Sequence, residues 1–247
     1  PKKFVDMYPQ EEIQVPENYM PEYPYKEEIG CGENLRDERL APFPRTEYAV
    51  RTHRSEYYAI ISHMDRQIGR ILKALEESGK ADNTYIFFTA DHGLACGNHG
   101  LMGKQNMYDH SMRAPLLVLG PDIPEDKKLD MNVYLQDIMP STINLAGMEK
   151  PEYVEFNSLM PYIEGKQKES AYDNIYGCYR DLQRMIRNDE YKLIAYPEAE
   201  KLRLFNVQED PLEMNDLADQ QEQQERIERM FRELEELSVQ MGDTLKL

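Results

Sequence analysis

Thr84-Tyr85-Ile86-Phe87-Phe88-Thr89-Ala90-Asp91-His92-Gly93 begins as a β-branched and aromatic run and ends on an acid, an imidazole and a glycine. Its first seven residues, bounded by polar neighbours, read as a buried strand. Ahead of them, over residues 46–77, Tyr57, Ile61, Met64, Ile68, Ile71 and Leu75 recur at helical spacing, and Ser78-Gly79 supplies a stop. A long amphipathic helix running into a buried strand predicts α/β layering. In α/β sheets, ligand sites lie beyond the carboxyl ends of strands, which is where Asp91 and His92 fall.

Working outward, Pro115-Leu116-Leu117-Val118-Leu119-Gly120 reads as a second buried strand, and residues 134–147 as a short helix ending on Gly147. Beyond it, 175–179, 183–187, 191–196 and 202–207 are short runs separated by turn-length polar pieces, which predicts a small antiparallel sheet. Residues 222–242 carry Ile227, Met230, Phe231, Leu234 and Leu237 on one helical face, suited to packing on that sheet. Upstream, Pro9, Pro16, Pro21, Pro24, Pro42 and Pro44 break any regular period, so residues 1–45 are expected to wrap a larger body as irregular chain. So long an irregular stretch, opening on Pro1-Lys2-Lys3-Phe4, is expected of a piece of a longer protein. An incomplete sheet is expected to leave an open edge and apolar surface.

Twenty-nine basic against 46 acidic residues give a net charge of -17, which repels nucleic acid phosphates and anionic lipid headgroups. No apolar run approaches the length of a membrane span. Nucleic acid and membrane are therefore not expected partners, and an anionic substrate would need a local cationic site. Cys31, Cys96 and Cys178 have neither disulfide nor zinc spacing and read as packed thiols. Tyr19, Tyr23 and Tyr25 fit the filling of a Trp-free core better than a sugar-binding wall.

Polar chemistry concentrates in Asp91-His92-Gly93, in Gly97-Asn98-His99-Gly100-Leu101-Met102-Gly103-Lys104, at Tyr108, and in Arg113-Ala114-Pro115. Asp91 offers a hard oxygen and His92 an imidazole nitrogen to a divalent cation, but two ligands are too few alone. On their own the pair suits a capping Asp and a backbone-bonded His better. The glycines would let backbone approach a ligand closely, while His99 and Lys104 place donors in the loop to cradle a tetrahedral anion.

Taken together, the strand, Asp-His-Gly, His-Gly, Gly-Lys, an aromatic residue and Arg-x-Pro before another strand resemble the sulfatase family of the alkaline-phosphatase-like superfamily. The likeness continues through Tyr134-Leu135-Gln136-Asp137-Ile138-Met139-Pro140-Ser141-Thr142 and Leu145-Ala146-Gly147 to Tyr191-Lys192-Leu193-Ile194 and Leu204-Phe205-Asn206-Val207-Gln208-Glu209-Asp210-Pro211. The resemblance implies the C-terminal half of such an enzyme. It implies part of an alkaline-phosphatase-like mixed sheet flanked by helices over 1–147, and a small C-terminal antiparallel sheet with a terminal helix over 148–247.

By the same resemblance, Asp91 and His92 would be calcium ligands, with magnesium the alternative metal, and Lys104 would contact a sulfate oxygen. His99 would lie at the substrate mouth and donate to the sulfate or the leaving oxygen. Tyr108, His110 and Arg113 would support the loop. The family's nucleophile is a formylglycine made from Cys or Ser in a Cys-x-Pro-x-Arg-like segment. Cys31-Gly32-Glu33, Cys96-Gly97-Asn98 and Cys178-Tyr179-Arg180 all lack that context, and no Ser-x-Pro-x-Arg is present. The formylglycine is therefore expected in an N-terminal half outside this chain, and the chain alone is not expected to turn over. Its expected substrate is a sulfated sugar or aryl sulfate, and a periplasmic or secreted location is what the family suggests. The rivals are a phosphoester or phosphonate hydrolase of the same superfamily and a non-catalytic binding or assembly module.

Overall fold

The computed structural model describes residues 1–247, which divide into two compact units. One comprises Pro1–Thr84 and His92–Arg113, the other Tyr85–Asp91 and Ala114–Leu247.

In the first unit, helix α1 (Lys2–Val5) and single 3-10 turns at Gln10–Glu12 and Glu38–Leu40 interrupt the Pro-rich segment. The segment nonetheless wraps helix α2 (Glu47–Glu77). Phe4 sets its ring 5.0 Å from that of His63, Tyr8 hydrogen-bonds Ser62 at 2.6 Å, and the Ser55 hydroxyl donates to the Tyr8 carbonyl. α2 starts where expected: Thr46 holds an extended backbone and its Oγ1 accepts from the Ala49 amide at 3.2 Å. Val50, Ser55 and Ala59 are buried, but further along the helix Ile61 and Met64 are exposed, and Ile71 is 67% exposed. The apolar stripe thus turns to solvent past the part of the helix that the N-terminal segment covers. A last short helix, α3 (Asp109–Met112), follows in the chemical loop.

In the second unit, strands β1 (Ile86–Thr89) and β2 (Leu116–Leu119) pair antiparallel, with Ile86 opposite Leu119. Both were expected to be fully buried, and neither is. Leu116 and Val118 pack on Leu159, Met160 and Ile163, while Leu117 and Leu119 on the other face are each 51% exposed. A two-stranded sheet covered on one side can bury only alternate residues. Apolar side chains are thus open to solvent here and on α2.

Helix α4 (Ile138–Leu145) is entered through a 3-10 turn knotted by the buried carboxylate of Asp137. That group accepts from Tyr134 N at 2.8 Å, Asn157 N at 3.0 Å and the Tyr172 hydroxyl at 2.5 Å. Helix α5 (Met160–Ile163) then leads to strands β3 (Ile175–Tyr179), β4 (Gln183–Arg187), β5 (Tyr191–Tyr196) and β6 (Lys201–Asn206), which form an antiparallel meander in that order. Helix α6 (Gln224–Gln240) lays Ile227, Met230 and Leu234 on Ile186, Leu193 and Leu204, all buried. The terminal helix therefore serves its own sheet, as the stripe predicts. Cys31 and Cys96 are buried, whereas Cys178, expected to be packed, is exposed.

The chain end is tied back by Asp243, whose carboxylate accepts from Arg184, from the Tyr176 hydroxyl and from Leu245 N at 2.9 Å. Burial pushes this carboxyl up, but the Arg184 and Tyr176 hydrogen bonds outweigh it and hold it at about 2. A carboxyl held below its unfolded value of 3.8 contributes stability that is complete above that value and is lost as pH falls from about 4 toward 2. Denaturation between these pH values should therefore show about 2 kcal/mol of acid loss from this group. Asp243→Asn should flatten that part of the curve; an unchanged slope would remove Asp243 as its source.

Candidate functional site

The loop His92–Arg113 folds on itself within the first unit. Gly93 N donates to Ser111 O, Ala95 N to Gly103 O and Gly97 N to Leu101 O, each at 2.8 Å. A Cβ at Gly93 would stand 2.0 Å from the His110 carbonyl oxygen, so that closure needs glycine. Gly100 has φ +70 and lies against the Met20 carbonyl. At these two points the close approach expected of the glycines is to the protein's own backbone. Gly93→Ala should lose about 1–3 kcal/mol through overpacking, read by urea denaturation; a change within error would mean that the loop base yields freely.

His99, Tyr108 and His110 are brought together as an aromatic group. The His99 ring stacks on Tyr108 at 3.9 Å and 15°, and His110 lies 5.7 Å from Tyr108 and 5.8 Å from His99. Tyr108 is fully buried, and its hydroxyl meets that of Tyr23 at 2.9 Å. His99 is only 3% exposed. Its backbone has φ +51 and donates to Asn18 O at 3.0 Å, which turns the ring inward. Arg113 is exposed at the end of α3, where its backbone N–H donates to Asp109 O.

Lys104 sits on a turn built by residues that sequence reasoning missed. Glu38 accepts from Met102 N at 2.9 Å and from Gly103 N at 2.8 Å, and its carboxylate pairs with the guanidinium of Arg45. Arg45 also donates to Gly100 O at 3.2 Å and to Glu38 O at 2.8 Å. Burial raises the Glu38 carboxyl, and the two amides with Arg45 oppose that rise. The Lys104 side chain is 28% exposed, and its ammonium lies 3.3 Å from Asp37 Oδ2. Asp37 also accepts from Gln105 Nε2 at 2.9 Å and from Arg36 Nε at 2.9 Å. The Gln105 and Arg36 bonds, with Lys104 adding to them against partial burial, hold this carboxyl at about 2. The one local cue was Gln105 beside Lys104; Asp37, Glu38 and Arg45 lie in the segment read as irregular.

His92 Nδ1 lies 2.8 Å from the Gly93 carbonyl oxygen. A carbonyl only accepts, so Nδ1 is the donor in this contact. In the second unit, Asp91 lies just past β1, after Ala90, is exposed, and lines a depression of about 600 Å³ with Thr89, Ala90, Leu135, Gln136 and Met139. Nowhere are three or more His, Cys, Asp or Glu side chains grouped so as to hold a metal ion. Asp91 carries a hard carboxylate oxygen and His92 an imidazole nitrogen, donor types that divalent cations take. No helix is long and apolar enough to cross a membrane.

The fold is of the mixed α/β class, with two antiparallel sheets and a C-terminal helix. The sulfatase profile matches residues 4–148, and that of the C-terminal region of N-sulphoglucosamine sulphohydrolase matches 97–240. The chain belongs to the sulfatase family. It is 30% identical over 194 residues to arylsulfatase K of Xenopus laevis, an alignment spanning 73% of this chain and 36% of the relative. It superposes with TM-score 0.70 and 27% identity on a protein solved in complex with its substrate D-glucosamine-2-N,6-O-disulfate, covering 80% of this chain and 42% of that one. A phosphonate monoester hydrolase from Silicibacter pomeroyi, 20% identical, shares the fold with TM-score 0.84 over 97% of this chain and 53% of that one. The chain thus spans between about a third and just over half of the length of these relatives.

Proposed function

We propose that this chain is the C-terminal half of a sulfuric ester hydrolase that releases sulfate from a sulfated sugar or an aryl sulfate. The observation that carries the reading is the Gly103-Lys104 turn, which a buried Glu38–Arg45 pair holds while leaving the Lys104 ammonium partly open. Sulfate ester cleavage develops negative charge on oxygen, and a preorganised ammonium stabilises it without reorganising. His99 is the second donor to the sulfate or leaving oxygen, its ring held against Tyr108 and beside His110. Arg113 anchors the end of the loop.

Asp91 and His92 are two of the ligands of a calcium ion, with magnesium the alternative. When bound, that cation supplies further charge neutralisation to the substrate oxygens. The chain contains no Cys-x-Pro-x-Arg or Ser-x-Pro-x-Arg segment, so the formylglycine nucleophile belongs to an N-terminal half, without which the chain is inactive. Residues 1–147 complete the catalytic α/β domain and 148–247 form the C-terminal subdomain. Sugar sulfates are the favoured class, because the relative solved with its substrate holds a disulfated glucosamine. The enzyme is periplasmic or secreted.

Peptide-resolved mass spectrometry of the natively produced polypeptide tests this. An aldehyde-bearing residue, made from Cys or Ser, in a segment joined to this chain is the expected result. A native polypeptide with no such residue would sink catalysis by this route and put a binding or assembly role first. The second reading is a phosphoester or phosphonate hydrolase of the same superfamily, a fold that the Silicibacter pomeroyi enzyme shares.

A further inference from the structure

We propose that Asp37 is a specificity determinant, a fixed negative charge beside Lys104 that makes the anion site favour singly charged sulfate esters over doubly charged phosphate esters. The inference rests on the reading of Lys104 as the anion contact. Asp37 Oδ2 lies 3.3 Å from the Lys104 ammonium, and two further donors, Gln105 Nε2 and Arg36 Nε, each at 2.9 Å, keep the carboxylate from swinging away. The Arg36 side chain is 84% exposed, so solvent screens its charge. Lys104 and Asp37 together therefore present no net charge, while the ammonium keeps donors for a ligand.

A carboxyl held at about 2 stays ionised throughout the neutral range. An anion that accepts from the ammonium sits on the order of 6 Å from that carboxylate, where each unit of ligand charge is penalised by about tenfold in affinity at an effective dielectric of about 40. A sulfate monoester carries one negative charge at neutral pH; a phosphate monoester, with a second pKa of about 6, carries nearly two. The carboxylate thus repels the phosphate ester by about tenfold more. An ammonium alone would favour the dianion.

The test is NMR titration of the full 247-residue chain with phenyl sulfate and with phenyl phosphate, for wild type, Asp37→Asn, Asp37→Ser and Lys104→Met. At about pH 7.5, Asp37→Asn should tighten phenyl phosphate about tenfold more than phenyl sulfate, and at about pH 5, where the phosphate ester is singly charged, that difference should vanish. The Ser variant must give the same pattern and serves if the Asn variant does not fold. Equal changes for both esters, or a difference that persists at the lower pH, would overturn charge selection and leave Lys104 as the anion contact. Wild-type binding that survives Lys104→Met, or no binding at all, would overturn the Lys104 reading itself, and the inference with it.

Discussion

Glu38→Ala should destabilise the first unit by about 3–5 kcal/mol, because it leaves the buried Arg45 guanidinium without its counter-charge. It also strips the Met102 and Gly103 amides of their acceptor, and unsatisfied buried donors add to the loss. For a chain of this size, the unfolding midpoint should fall by on the order of 10 °C. Removing both charges by Glu38→Ala with Arg45→Met should cost less than the single change, since no uncompensated ion then remains. Urea denaturation of the two variants checks the pair. A loss below about 1 kcal/mol for Glu38→Ala would mean that water reaches Arg45 and that the turn under Lys104 has another support.

Lys104→Ala has the largest expected effect on turnover. In the complete enzyme, removing one preorganised donor from the developing charge should lower kcat/KM by about 100- to 1000-fold. Glu38 and Arg45 hold the backbone under Lys104 independently of its side chain, so the fold should survive and the loss should appear in the chemistry. Lys104→Arg should recover part of the rate, since it restores the charge in a different shape. Steady-state kinetics with matched thermal melts decide it, and a loss under about fivefold would demote Lys104 to a loop residue.

Much of the architecture was legible because it is periodic. β3, β4 and β5 fall on the spans that alternation and turn residues indicate, and α2 starts one residue after its capping Thr46. The stripe on α6 correctly announced its burial against the sheet. Burial of β1 and β2 was misjudged because an apolar run reports which residues want cover and not whether this chain supplies it. In the loop, the closeness of Asp91, His92, His99 and Lys104 in sequence drew attention to them. Their surroundings were not readable: Glu38 reaches Met102 across 64 residues, and no local spacing encodes such a pairing. The inward turn of His99 depends on a left-handed backbone at a non-glycine residue, which its neighbours do not signal.

The most direct test of the central claim is the initial rate at which the natively produced polypeptide containing this chain cleaves an aryl sulfate, measured beside an aryl phosphonate monoester. Sulfate ester turnover should dominate and should collapse in Lys104→Ala. Turnover confined to the phosphonate, or sulfate release that is unchanged without Lys104, would contradict that claim.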